Sequence, residues 1–146
     1  MKEEKVCDFC TEMISFKIGA LSRDITKFFN NQLAEYGITI GQVLVLTHLS
    51  ENGVSSIKDI AQSLKLESSA ISRLVDRLIK EELVLRDENK EDRRYMEIQL
   101  TEKGRALTEK VVMIPNDYNQ FLKEKFGEEK FNILREYLEE ISETLK

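Results

Sequence analysis

Apolar residues recur along this chain at two different periods, and the change of period divides it. Between Thr11 and Tyr36 they fall three and four residues apart, at Ile14, Ile18, Leu21, Ile25 and Phe28, which predicts a long helix stopped by Gly37. Phe9, Phe16, Phe29 and Leu33 widen its apolar surface beyond one stripe, so it needs more than one surface to bury against. Thr39-Ile40-Gly41-Gln42 reads as a capping box opening a helix to about Glu51, with Val43, Leu44, Leu46 and Leu49 inward. Ser56-Ile57-Lys58-Asp59 is a second capping box, starting a short helix that buries Ile57, Ile60, Ala61 and Leu64. Leu64-Lys65-Leu66 leaves only a tight turn before the next helix. There Ile71, Leu74, Val75 and Leu78 share one face with Ile79 at its edge, at about 100° per residue. Ser69, Arg73, Asp76 and Lys80 fall opposite, flanked by Ser72 and Arg77.

After Leu83 the period becomes two. Met96, Ile98 and Leu100 alternate with Tyr95, Glu97 and Gln99, as in a half-buried strand, and Val84-Leu85 is a short partner for it. The intervening RDENKEDRR is too polar for a core and forms a charged hairpin tip. Thr101 then reads as an N-cap, and a helix runs to about Phe126, broken or kinked just before Pro115 and ended by Gly127. A last helix, from Glu128 to about Leu145, carries Phe131, Leu134, Leu138, Ile141 and Leu145. The fold class is therefore mainly α with a small β-hairpin wing. Residues 1–36 and 102–146 form a helical region, around a winged helix-turn-helix at 37–101. The long amphipathic segments at the two ends exceed what one small winged domain can bury. A homodimer with interlocking terminal helices satisfies them.

A helix-turn-helix followed by a wing has a chemistry suited to double-stranded DNA. The first turn of the second helix, with Ser68 and Ser69, would enter the major groove, where a hydroxyl is a versatile hydrogen bonder. Ser72 and Arg73 follow one turn later, and an arginine there can hold a guanine edge bidentately or a phosphate. Arg77 and Lys80 extend the cationic side. Arg93 and Arg94 at the hairpin tip, with Lys90 near them, can reach the adjacent minor groove or the backbone.

Composition changes this picture little. The net charge of -5 suits a nucleic-acid binder poorly, but residues 58–105 hold 11 basic and 11 acidic side chains, so the whole acidic excess lies elsewhere. Phosphate attraction depends on which charges face the duplex, and the acidity argues only against strong non-specific binding. No run approaches the ~20 apolar residues of a membrane span, and MKEEKVCDF lacks a signal-type apolar run, so a cytoplasmic location is expected. No Gly-rich phosphate loop or catalytic triad context is present. The acidic residues at 87–92 interleave with Lys90 and read as a solvated turn, so an enzyme is not expected, nor a cofactor. His48, the only histidine, reads as a helix-surface or core-edge residue, with a ligand or proton-sensing role as its alternative.

Cys7 and Cys10 form a C-x-x-C pair. Zinc would need two more ligands, from Asp/Glu or a second subunit, and a thioredoxin-like enzyme would need a preceding strand that KEEKV does not supply. A redox switch and two plain thiols remain. The plain reading is favoured, because Lys5 is the only close cation and Asp8 and Glu12 oppose it.

The run Asp92-x-Arg94-x5-Leu100-Thr101 followed by Gly104 resembles the wing signature of MarR-type transcriptional regulators. ISRLVDRLIKEELVLR resembles their recognition helix and strand, and TIGQVLVLTHLSENGVSS the segment before them. The resemblance spans the chain from the first long helix to the last. It implies a homodimeric repressor on a palindromic operator, with a small-molecule inducer bound where terminal helices meet the winged domain. One branch of that family senses organic hydroperoxides through a cysteine near the start of the first helix, although not usually as a C-x-x-C pair. A winged-helix protein-interaction module is the remaining alternative. Arg93 and Arg94 would point oppositely in an extended strand, so only one can enter the minor groove, and the resemblance implies that it is Arg94. Asp92 is then expected to brace an arginine, Arg94, Arg77 or Arg73. Three departures stand out. Glu82 occupies a position that is often glycine and Lys65 one that is often small, both suggesting strained or shifted backbone. Glu67, where a neutral cap usually stands, would repel phosphate.

Overall fold

The computed structural model describes residues 7–146, so Lys5 lies outside the described residues. The chain divides into one unit ending at Val111 and a second running from Val112 to Lys146.

The first unit opens with α1 (Asp8–Glu12) and α2 (Ile14–Leu33), continued by a 3-10 turn at Ala34–Tyr36. The expected single helix is thus interrupted at Met13, whose backbone is extended (φ -76°, ψ 119°). Gly37 closes the segment in the left-handed region at φ 70°. Helix α3 (Ile40–Asn52) starts with the expected capping box: the Thr39 hydroxyl accepts from the Gln42 N–H, and the Gln42 side chain accepts from the Thr39 N–H at 2.9 Å. Such a cap contributes on the order of 1 kcal/mol.

Helix α3 is the core's axis. It packs against α2, α4, α5, α6 and the sheet, and buries Val43, Val45, Leu46, His48 and Leu49. The inward list needs one correction, because Leu44 is 42% exposed and Val45 takes its place. A helix enclosed on several sides has no single stripe, so a one-face wheel misplaces a neighbour. Helix α4 (Ile57–Leu64) carries the second capping box, Ser56 with Asp59, and buries Ile60 and Ala61. Helix α5 (Ser68–Lys80) buries Ile71, Val75 and Leu78 completely.

Strands β2 (Val84–Glu88) and β3 (Met96–Leu100) pair antiparallel from Val84↔Leu100 to Glu88↔Met96. A third strand, β1 (Ser55–Ser56), pairs on the other edge of β3, giving the order β1-β3-β2. The hairpin is therefore a three-stranded sheet. Of the expected inward residues, Ile98 is buried and Leu100 half-buried, whereas Met96 is exposed because the sheet leaves the core there.

Helices α4 and α5 end alike. Leu66 N–H donates to the Ala61 carbonyl and Leu83 N–H to that of Leu78. These are Schellman closures, which need a left-handed residue just before the donor. Lys65 (φ 54°) and Glu82 (φ 58°) fill those positions, the two non-glycine residues with positive φ among the described residues. The strain expected from the departures at these sites is thus located, at about 1–2 kcal/mol each.

Helix α6 (Glu102–Val111) begins against the second of these closures. The Thr101 hydroxyl donates to the Glu82 carbonyl at 2.7 Å, Lys103 Nζ to that of Glu81 at 2.9 Å, and Thr101 N–H to that of Leu83 at 3.1 Å. A Cβ on Gly104 would lie 1.9 Å from the Leu83 oxygen, so only glycine allows this approach.

The second unit is a helix pair, α7 (Met113–Phe126) and α8 (Glu128–Glu143), turned at Gly127 (φ 89°). The break expected before Pro115 falls at Val112, where the missing proline N–H ends the ladder of α6. No helix among the described residues is long and apolar enough to cross a membrane.

Candidate nucleic-acid interface

The core stripe of α5 leaves the other side of the helix outward. Ser68, Ser69, Arg73, Asp76, Arg77 and Lys80 are exposed and Ser72 is half-buried. Among the described residues Arg73, Arg77 and Lys80 make no ion pair, so their cationic heads are free for an anion. Glu67 is the N-cap of α5, exposed, and makes no side-chain cap bond. Asp76 is engaged differently: it accepts from Arg86 Nη2 of β2 at 3.0 Å. This pair joins the polar face of α5 to the stem of the wing. Sequence reasoning missed it because Asp76 and Arg86 meet across a turn, with no shared period to announce them.

The wing tip is an ordered turn rather than the extended strand expected for Asp92-Arg93-Arg94, since β3 begins only at Met96. Asn89 organises it. Its Oδ1 accepts from the N–H groups of Glu91 (2.8 Å) and Asp92 (3.0 Å), and its Nδ2 donates to Glu97 Oε1 at 2.6 Å. The Asn89 N–H donates to the Tyr95 carbonyl at 2.8 Å. Asn89 was not among the expected functional residues. An asparagine at a turn start is an ordinary signal for such bonding, and here it was hidden in a run of charges.

Within that turn Arg94 folds back on Asp92. Arg94 Nε donates to Oδ1 at 3.0 Å and Nη2 to Oδ2 at 2.7 Å, while the Arg94 N–H donates to Oδ1 at 3.1 Å. The Arg94 side chain is nonetheless 83% exposed, with its other guanidinium edge directed away from the carboxylate. The adjacent guanidinium, helped by the Arg94 N–H, holds the Asp92 carboxyl below its ordinary value and pushes Arg94 upward. Asp92 does not reach Arg73 or Arg77. Arg93 is exposed and unpaired among the described residues. A groove of about 550 Å³ separates the wing from the start of α4, with Lys58, Gln62, Arg94 and Tyr95 on its walls.

Two features lie away from this face. Tyr36, Ile38, Leu83, Leu107, Lys103 and Lys110 line a cavity of about 330 Å³ beside the start of α6. Cys7, exposed, and Cys10, half-buried, are free thiols at the start of α1. Hydrogen bonds from the Cys10 N–H and thiol pull the Cys7 thiol below its ordinary value, and the same thiol contact pushes Cys10 up. The expectation that nothing beside Cys7 lowers its pKa is corrected: the lowering groups are helix backbone N–H groups and the Cys10 thiol, not a charged side chain. Among the described residues no cluster of three or more His, Cys, Asp or Glu could hold a metal ion.

Comparison with known proteins agrees with this geometry. Residues 38–96 match the MarR family. The organic hydroperoxide resistance transcriptional regulator of Bacillus subtilis is 34% identical over 102 residues, covering 70% of this chain and 69% of that protein. The HTH-type transcriptional regulator SarZ of Staphylococcus aureus is 28% identical over 134 residues, 89% of each chain. Among solved structures, that of the S. aureus MepR–DNA complex aligns with a TM-score of 0.85 at 24% identity, covering 92% of this chain and 99% of that one.

Proposed function

The chain belongs to the MarR family of DNA-binding winged helix-turn-helix transcriptional regulators, not to a family of enzymes, and from that premise we propose that it is a homodimeric repressor acting on a palindromic operator. The first turn of α5, with Ser68, Ser69, Ser72 and Arg73, reads base edges in the major groove. Arg77, Lys80 and Arg93 take phosphates, and Arg94 enters the minor groove, aimed by Asp92. One observation carries this assignment: the free cations of α5 share a frame with a wing arginine that is held bidentately yet exposed. Of the two partners open to a basic wing, duplex DNA and an acidic protein, family membership supports DNA.

The proposed dimer uses residues 1–36 and 102–146, with 37–101 as the DNA-binding region. Its support is unburied apolar surface on helices of both units. Ile14, Ile18, Leu21 and Phe28 on α2, and Leu134, Leu138 and Ile141 on α8, are exposed in the single chain. Apolar stripes of that length on a monomer mark an interaction surface. A two-fold pair must place its α5 helices about 34–36 Å apart, or a multiple of that, to meet successive major grooves. A small hinge movement spoils the match, which is how an inducer would release DNA. The cavity beside α6 is the proposed inducer seat: its apolar walls are rimmed by Glu81, Lys103 and Lys110, which suits a small, largely apolar ligand.

Binding to the DNA adjoining the protein's own coding region tests the proposal. An inverted repeat there should be bound by a dimer, with affinity falling steeply as salt rises. Failure to bind at low salt overturns it. A second reading has its own observation, two free thiols, Cys7 and Cys10, three residues apart at the start of α1. If Cys7 and Cys10 form a redox switch, peroxide releases DNA and a reductant restores binding. Cys7→Ser with Cys10→Ser then abolishes the response while leaving reduced affinity unchanged. An identical response in the double variant makes the thiols bystanders.

A further inference from the structure

His48 is the only histidine of the chain, and it is 8% exposed, on α3. Its two ring nitrogens serve different elements. Nε2 lies 3.2 Å from Ser55 Oγ of β1, and Nδ1 lies 3.2 Å from Ser63 Oγ in the last turn of α4. The direction of each bond follows from counting protons. The Ser55 hydroxyl donates to the Gly53 carbonyl at 3.0 Å, so its proton is used and its oxygen must accept from the ring. Nε2 therefore carries a hydrogen, and Nδ1 is the acceptor for the Ser63 hydroxyl. The Asn52 amide, 3.4 Å from Nδ1 and donating to the His48 carbonyl at 3.0 Å, supports the same tautomer.

Ser55 and Ser63 bracket α4. The first lies immediately before its N-cap, in the strand that pairs with β3 through Ser55↔Ile98 and Ser56↔Glu97. The second precedes the left-handed Lys65 turn that sets the entry angle of α5. One rigid ring on α3 thus pins both ends of the segment joining the wing sheet to the helix-turn-helix. A two-residue strand holds its register poorly without outside help.

We propose that His48 is a positioning residue for DNA binding, a buried link that fixes the wing sheet relative to α4 and hence to α5. The proposal rests on the reading that α5 and the wing both contact DNA. Breaking the link lets β1 fray and the wing swing, so binding loses the coordination of its two contacts while the core packing of α5 persists.

Three variants test it. His48→Leu keeps an apolar body and removes both nitrogens. His48→Gln keeps a donor and an acceptor close to the ring's spacing. Ser55→Ala cuts only the wing side, and it serves if His48→Leu fails to fold. Amide exchange in β1, measured without DNA, should quicken at least tenfold in His48→Leu or Ser55→Ala and return toward wild type in His48→Gln. On operator DNA, the folded variants should bind about tenfold more weakly, a loss of the size a broken buried hydrogen bond produces. Hydroxyl-radical protection should fade under the wing and persist at the backbone positions bordering the central major grooves, with His48→Gln restoring it. Unchanged exchange in β1, or a footprint weakened equally at wing and recognition helix, overturns the proposal. The exchange measurement decides it even if the wild-type footprint shows that α5 or the wing does not touch DNA, which would instead sink the reading beneath it.

Discussion

Helix α5 and the wing tip present the same kind of group, an exposed guanidinium, and hold it by opposite means. Arg73 and Arg77 make no ion pair among the described residues, and their helix is fixed from below by Ile71, Val75 and Leu78, each fully buried. Arg94 stands on a seven-residue turn with no core beneath it, and its position comes from polar bonds: Asn89 to the turn backbone and Glu97, Asp92 to the guanidinium. A helix borrows rigidity from hydrophobic burial. A loop must be built from hydrogen bonds, each worth about 1 kcal/mol net in water. The two contacts should therefore break by different routes.

The largest effect is expected in the helix's foundation. Ile71→Ala should lower unfolding free energy by about 2–4 kcal/mol in urea, while DNA affinity of the remaining folded fraction changes little. Equal loss of affinity in the folded fraction would mean that α5 is positioned by something other than its core stripe.

Next come the guanidiniums themselves. Arg73→Ala should cost ~1–3 kcal/mol of binding and relax preference at one base position, with stability unchanged. A uniform loss across all sequences would make Arg73 a phosphate contact. Arg94→Ala should cost more than Arg93→Ala, most where flanking sequence narrows the minor groove.

The brace comes third. Asp92→Ala should weaken binding although it removes a negative charge, because the guanidinium loses its aim. Tighter binding instead would mean that phosphate electrostatics alone governs the wing. The pH dependence has a definite sign. The folded-state pKa of Asp92 is depressed below its ordinary 3.8, so the brace is fully present above that value and is lost only as pH falls through the lower folded value. Wing order, followed by amide exchange or by fluorescence of a probe at the tip, should thus be flat through neutral pH down to the ordinary carboxylate range. A transition near pH 6 would implicate another group.

The smallest effect concerns the shared frame of the two regions. Glu82 holds a left-handed backbone between the end of α5 and the start of β2. Glu82→Gly should raise stability by about 1 kcal/mol with DNA affinity preserved. A drop in stability would show that the Glu82 side chain contributes more than its backbone costs.

What could be read from the sequence follows the same division. Burial leaves a period, so the stripe of α5, the two capping boxes and the break before Pro115 were all legible in advance. The polar frame leaves none. Asp76 and Arg86 meet across a turn, and Asn89 sits in a run of charges. Strand β1 is two serines whose pairing depends on β3, some forty residues away. The tip was expected as extended strand because alternation cannot show where a ladder stops; Met96 kept the pattern after leaving the core. Val45 was missed on α3 for the converse reason, since a helix buried on several sides offers no single period to follow.

The most direct test of the proposed two-fold docking is a hydroxyl-radical footprint on the inverted repeat sought beside the coding region. A two-fold pattern is expected: two sets of protected backbone positions bordering major grooves about 34–36 Å apart or a multiple of that, each flanked outward by a protected minor groove. In Arg94→Ala the outer protections should vanish and the inner ones remain. Protection confined to one half-site, or outer protections that survive Arg94→Ala, would contradict it.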